Sequence, residues 1–110
     1  LSSDGQGSLP IFNEKKEFVG LGVGKATCLI KGIKECVFEQ NISLEHALRA
    51  LTSNPARIFK LKNKGRLAVG FDADLCILNK DLDIVGVIAK GKVMVQDKKP
   101  LVYGVFEEKR

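Results

Sequence analysis

The chain has no tryptophan, and aromatic residues make up only 6% of its 110 residues, so any core it forms must be mostly aliphatic. Cysteine is scarce too. Cys28, Cys36 and Cys76 are odd in number, and no two stand at CxxC spacing. A disulfide framework favours an even count in a secreted setting, so free thiols in a reducing cytoplasm are expected. Cys28 and Cys36 lie among aliphatic residues and read as small core hydrophobes rather than nucleophiles. No apolar run is long enough to span a bilayer, and no signal-peptide pattern is present, so no membrane partner is expected. Internal repeats and low-complexity segments are absent as well.

What is present is ordinary globular composition, 45% hydrophobic and 28% charged, which excludes disorder. The length allows one domain at most, with a modest core. The formal charge of +5 comes from 18 basic and 13 acidic residues. The basic residues are scattered (Lys15-Lys16, Lys31, Lys34, Lys60, Lys62, Lys64, Lys98-Lys99) and form no dense patch. Nucleic-acid binding needs such a patch, so no nucleic-acid partner is expected. The chain opens on Leu1 rather than Met, which predicts a piece of something longer.

Leu9-Pro10-Ile11-Phe12 and Phe18-Val19-Gly20-Leu21 flank the polar run Asn13-Glu14-Lys15-Lys16-Glu17 and predict a hairpin or hairpin-like loop. From Val23 to Gln40, Ala26, Leu29, Ile30, Ile33 and Val37 follow three- and four-residue steps, one face of an amphipathic helix. Gly32 within it costs about 1 kcal/mol relative to Ala. A close neighbour on that side would explain it. A second helix is expected after Ser43, a natural N-cap, with Leu44, Ala47, Leu48 and Leu51 as its stripe. A third follows, with Asn54 capping and Pro55 at the first helical position. Beyond Gly65 the texture is β: strands are expected over 73–78, 84–89 and 93–95, with an edge strand over 101–106. Lys90-Gly91-Lys92 reads as a tight hairpin turn. Gly65, Gly70 and Gly91 read as turn glycines.

Candidate chemistry concentrates in Ser2-Ser3-Asp4-Gly5-Gln6-Gly7-Ser8, where an acidic residue between serines and glycines can meet a metal or a substrate without obstruction. On the residues alone, Asp4 reads more readily as a side-chain cap of a turn than as a ligand, and a simple loop serine is the alternative for Ser8. His46 has no second ligand at helical or turn spacing and reads as a surface histidine. Asp72 and Asp74, two apart in an expected strand, share one face and suit turn or strand-entry roles better than metal binding.

The opening loop resembles the loop after the eighth barrel strand in the amidohydrolase superfamily. Lys64-Gly65-Arg66-Leu67-Ala68-Val69-Gly70-Phe71-Asp72-Ala73-Asp74-Leu75 is similar to the stretch that leads, in that superfamily, into a small β-sandwich beside the barrel. Thr52-Ser53-Asn54-Pro55-Ala56 resembles the helix start just before it, and the run from Val87 to Val95 the closing hairpin. Within the superfamily, the opening loop, Gly20-Leu21-Gly22-Val23-Gly24 and the ending Gly104-Val105-Phe106-Glu107 most resemble the isoaspartyl (β-aspartyl) dipeptidases.

The resemblance implies an α/β fold, the C-terminal piece of a (β/α)8 barrel plus part of the β-sandwich. Residues 1–62 would be the end of the barrel (strand-8 loop and terminal helices), and 63–110 the sandwich portion. It implies a hydrolase with two divalent metal ions, zinc by family habit, that cleaves β-aspartyl dipeptides by metal-activated hydroxide. Asp4 would be both a metal ligand and the catalytic proton shuttle; Ser8 would bind the substrate's α-carboxylate. With a single His, the chain cannot rebuild the family's metal shell, so it is expected to hold no metal and to be inactive by itself. The expected partners are a small dipeptide and further copies in a homo-oligomer. Another amidohydrolase, such as a D-aminoacylase or a dihydropyrimidinase-like enzyme, and a non-enzymatic binding or assembly module remain alternatives.

Overall fold

A computed structural model describes residues 1–105 and 107. It contains a two-stranded sheet, three short helices, a π-helical turn and a four-stranded sheet. The chain divides into two compact units, Leu1–Leu51 and the part from Thr52 onward.

In the first unit, β1 (Ser8–Phe12) and β2 (Phe18–Val23) form the expected hairpin, paired from Ser8↔Val23 to Ile11↔Gly20, with a register shift before Phe12↔Phe18. Its loop is built by Asn13, whose Oδ1 accepts the backbone N–H groups of Lys15 (2.9 Å) and Glu17 (3.0 Å). Lys16 takes a left-handed φ of 62°, the three-residue hairpin connection in which a turn is followed by one αL residue. Phe12 and Phe18 close the strands edge-to-face at 6.3 Å.

The expected helix over 23–40 is shorter in the structure. Val23 belongs to β2, and α1 covers Cys28–Lys34. The ladder to β1 claims residues 18–23, and Lys25 to Thr27 turn the chain before the helix proper, through Cys28 N–H to Lys25 O and Leu29 N–H to Ala26 O. The helix continues as a π-helical turn, Glu35–Glu39, closed by Gln40 N–H to Glu35 O at 3.1 Å. Of the expected stripe, Ile33 is fully buried, Leu29, Ile30 and Val37 are half-buried, and Ala26 is exposed. Cys28, expected in the core, is exposed at the start of α1; Cys36 is half-buried, and all three cysteines are free. Gly32 has no neighbour within 4 Å of where a Cβ would lie, so the expected close packing is not the reason for this glycine. Helix α2 (Leu44–Arg49) begins at Ser43, whose Oγ accepts His46 N–H at 3.2 Å, and packs Ala47 inside.

In the second unit, α3 (Ser53–Ile58) starts at Thr52, without a side-chain cap. Pro55 therefore lies in the first turn but not at its first position. Its missing N–H costs nothing there, because that turn's N–H groups have no intrahelical acceptor. Strands β3 (Leu75–Leu78), β4 (Ile84–Ala89), β5 (Lys92–Gln96) and β6 (Lys99–Pro100) form an antiparallel meander. The β3–β4 connection repeats the Asn13 design. Asn79 Oδ1 accepts from Asp81 and Asp83 N–H at 3.0 Å each, and Leu82 takes the left-handed φ of 61° with its side chain buried.

The β4–β5 connection is the expected tight hairpin turn, with positive φ at both Lys90 (47°) and Gly91 (79°), which is type I′ geometry. Gly65 and Gly70 likewise hold positive φ. Asp97 (50°) and Lys98 (65°) make an analogous turn before β6. The expected strand over 101–106 is not formed at 101–105; Lys99 and Pro100 pair with Gln96 and Val95 instead, because the Asp97-Lys98 turn returns the chain early. Phe106 lies outside the described residues.

Along the chain, the division between the compact units falls at Leu51/Thr52. Helix α3 groups with the sheet through its connections. Leu61 N–H bonds to Ala56 O, Asp72 N–H bonds to Asn63 O, and Gly65 lies so close to Ala56 and Thr52 that a Cβ would clash.

Candidate functional site

The opening segment folds as a tight turn clasped to the end of β2. Gly7 N–H bonds to Asp4 O at 2.8 Å, Gln6 N–H to Gly24 O at 2.9 Å, and Gly24 N–H to Gly7 O at 2.8 Å. Asp4 N–H reaches Ser2 Oγ at 3.3 Å. Asp4 and Gln6 both take left-handed φ values, 47° and 67°. The Asp4 carboxylate lies over Gly7, where an added methyl would collide with it. A methyl on Gly24, which is buried, would lie 2.5 Å from Asp4 O and 3.3 Å from Ser3 O.

The Asp4 side chain is exposed, and no hydrogen bond or ion pair to its carboxylate occurs among the described residues. Ser8, also exposed, is the first residue of β1 and pairs with Val23. The two candidate residues thus share one end of the hairpin, opposite the Asn13 loop. Among the described residues no three His, Cys, Asp or Glu side chains come together to hold a metal ion. His46 is exposed on α2 and engages Ser43 only through its backbone N–H.

Asp72 and Asp74 lie at the entry to β3 rather than within it, and there they take on a further task. Both precede β3 and converge on Lys64 Nζ, at 2.9 Å and 2.5 Å. Asp74 Oδ1 also accepts Lys90 N–H at 2.7 Å. Lys64 and the Lys90 N–H hold the Asp74 carboxyl below the usual carboxylate range, and Asp74 and then Asp72 raise Lys64 above its ordinary value. This clamp ties the Lys64 segment to the β4–β5 turn. The first and last charged residues of the Lys64–Leu75 stretch carried the signal, but pairing over ten positions is invisible to periodicity. Gly7 and Gly24 were also missed as supports of Asp4; their only trace in sequence is that both are glycines flanking the hairpin.

No helix among the described residues is long and apolar enough to cross a membrane. The amidohydrolase family model matches residues 1–94. A β-aspartyl dipeptidase from Fervidobacterium islandicum AW-1, crystallised with the β-Asp-Leu dipeptide, is 43% identical and superposes with a TM-score of 0.80. That match covers 96% of this chain and 27% of the dipeptidase. Among curated relatives, an adenine deaminase of Thermosipho africanus is 33% identical over 72 residues (64% of this chain, 12% of the deaminase). An allantoinase of Bacillus velezensis is 39% identical over 62 residues (56% of this chain, 13% of the allantoinase). The chain thus spans only a small part of each relative's length, and with most of its residues matched by the family model, it belongs to the amidohydrolase family.

Proposed function

We propose that this chain is the C-terminal part of a metal-dependent hydrolase that cleaves β-aspartyl dipeptides, comprising the end of its (β/α)8 barrel and part of a small β-sandwich. The similarity to a β-aspartyl dipeptidase over 96% of the chain, at 43% identity, carries this reading. Asp4 suits one ligand position of the metal centre, its carboxylate being exposed on a turn free of bulky neighbours. The other ligands would come from outside these residues. The metals, proposed to be two zinc ions, would lower the pKa of water toward neutrality and so supply a nucleophile. Asp4 would take up the proton released as the amide is attacked and deliver it to the leaving amine, a transfer worth about 10²–10⁴-fold in rate. Ser8 would donate its hydroxyl to the α-carboxylate of the dipeptide and orient it. On this reading the chain by itself does not turn over substrate.

A second reading, another amidohydrolase specificity, is favoured by the similarity to allantoinase and to adenine deaminase. Assaying the full-length protein on β-Asp-Leu, allantoin, adenine, a dihydropyrimidine and an N-acyl-D-amino acid separates the two. Preferential turnover of β-Asp-Leu is expected. Preference for a cyclic ureide, adenine or an acyl-amino acid would replace the dipeptidase reading, and turnover of none would favour a binding or assembly module.

A further inference from the structure

We infer that Gly24, with Gly7, sets the position from which the Asp4 carboxylate acts, so that both are positioning residues; the kinetic side of this inference rests on the hydrolase reading above. Asp4 lies in the left-handed region at φ 47°, a conformation a non-glycine residue keeps only when its surroundings impose it. The imposing element is twenty residues away in sequence. Gly24 receives Gln6 N–H on its carbonyl and donates its own N–H to Gly7 O, while Gly7 N–H closes the turn on Asp4 O. Gly24 is buried against the Asp4 and Ser3 carbonyls, leaving no room for a side chain.

Gly24 directly follows Val23, the partner of Ser8. One strand end therefore fixes both the turn that carries Asp4 and the residue that begins β1. Gly7 acts on the carboxylate itself: it lacks the methyl that would push the carboxylate off the turn. Gly20, four residues earlier and within β2, has open space where its Cβ would lie and serves as the control. Displacing a reacting group by about 1 Å costs on the order of 100-fold in rate.

Two measurements test this. In the chain described here, Gly24→Ala should accelerate amide exchange at Gln6 at least tenfold, and Gly20→Ala should leave it unchanged; unchanged Gln6 exchange in Gly24→Ala would overturn the clasp. In the full-length protein acting on β-Asp-Leu, Gly24→Ala and Gly7→Ala should each lower kcat roughly 100-fold, with KM within about twofold and metal content unchanged. Gly7→Ala places its methyl chiefly against the Asp4 side chain, so it tests the idea even where Gly24→Ala does not fold. Near-normal kcat in both glycine variants beside an inactive Asp4→Asn would overturn the positioning role while sparing the hydrolase reading. Normal turnover in Asp4→Asn would instead remove the catalytic role of Asp4 while sparing the hydrolase reading, and Gln6 exchange alone would then decide for or against the clasp.

Discussion

Replacing Asn79 with Ala should loosen the four-stranded sheet more than the same change at Asn13 loosens the β1–β2 hairpin. Each asparagine builds its loop with two backbone N–H bonds to one side-chain oxygen. A hydrogen bond contributes about 0.5–1.5 kcal/mol net, toward the lower end where the freed donor returns to water. Both Asn13 bonds are exposed, which gives about 1 kcal/mol for the pair. At Asn79 one bond is exposed and the other part-buried, and the loop also holds Leu82 buried at a left-handed φ. A non-glycine residue in that region costs roughly 1–2 kcal/mol, which the Asn79 bonds help to offset. Losing them should cost about 1.5–2 kcal/mol, which speeds exchange by about 10- to 30-fold. Site-resolved amide exchange at Ile77 and Gly86 for one sheet, and at Ile11 and Gly20 for the other, reads each unit separately. Asn79→Asp, which keeps the acceptor, should recover most of the loss. Asn79→Ala with unchanged exchange, or Asn13→Ala with the larger effect, would refute this reasoning.

Three other changes should be measurable. The Lys64–Asp72–Asp74 clamp should protect the Lys90 amide across neutral pH. Asp74, held below its ordinary value of 3.8, contributes above that value and loses its contribution as pH falls through its lowered folded pKa; Lys64, raised above 10.5, contributes below that value and loses its contribution as pH rises through its folded pKa. A Lys90 exchange profile that changed between pH 5 and 9 beyond the intrinsic rate, or an Asp74→Asn variant with the same acid limb as the parent, would contradict this. Gly32→Ala should stabilise this chain by about 0.5–1 kcal/mol in a denaturant titration, since the space beside it is open; destabilisation would mean a close neighbour after all. The chain should also associate with rising concentration, because Phe12, Phe18, Val19, Leu21 and Val23 all leave apolar surface exposed on one hairpin; sedimentation as a monomer at every concentration would contradict that.

Local chemistry made much of the fold legible. The strand over 84–89, the Lys90-Gly91 turn, the Ser43 cap and the β1–β2 hairpin all follow from short-range pattern, and the structure places them where they were expected. Failures came where distant partners decide. Helix α1 starts late because β1 holds residues 18–23, and β6 starts early because Asp97 and Lys98 make a left-handed turn with no glycine to announce it. Charge pairing of Lys64 with Asp72 and Asp74 needs the folded turn between them. At the candidate site, the residues alone favoured a turn role for Asp4, and only the resemblance turned the reading toward a ligand. The support from Gly24 could not be read at all, because nothing local links residue 24 to residue 4.

The most direct test of the proposed chemistry is the kcat of full-length protein on β-Asp-Leu with Asp4 replaced by Asn. Asn keeps the size of the side chain but cannot take up a proton, so turnover should fall at least about 100-fold while circular dichroism and thermal unfolding stay close to those of the parent. A folded Asp4→Asn enzyme turning over within about twofold of the parent would contradict the claim and leave Asp4 as a turn residue.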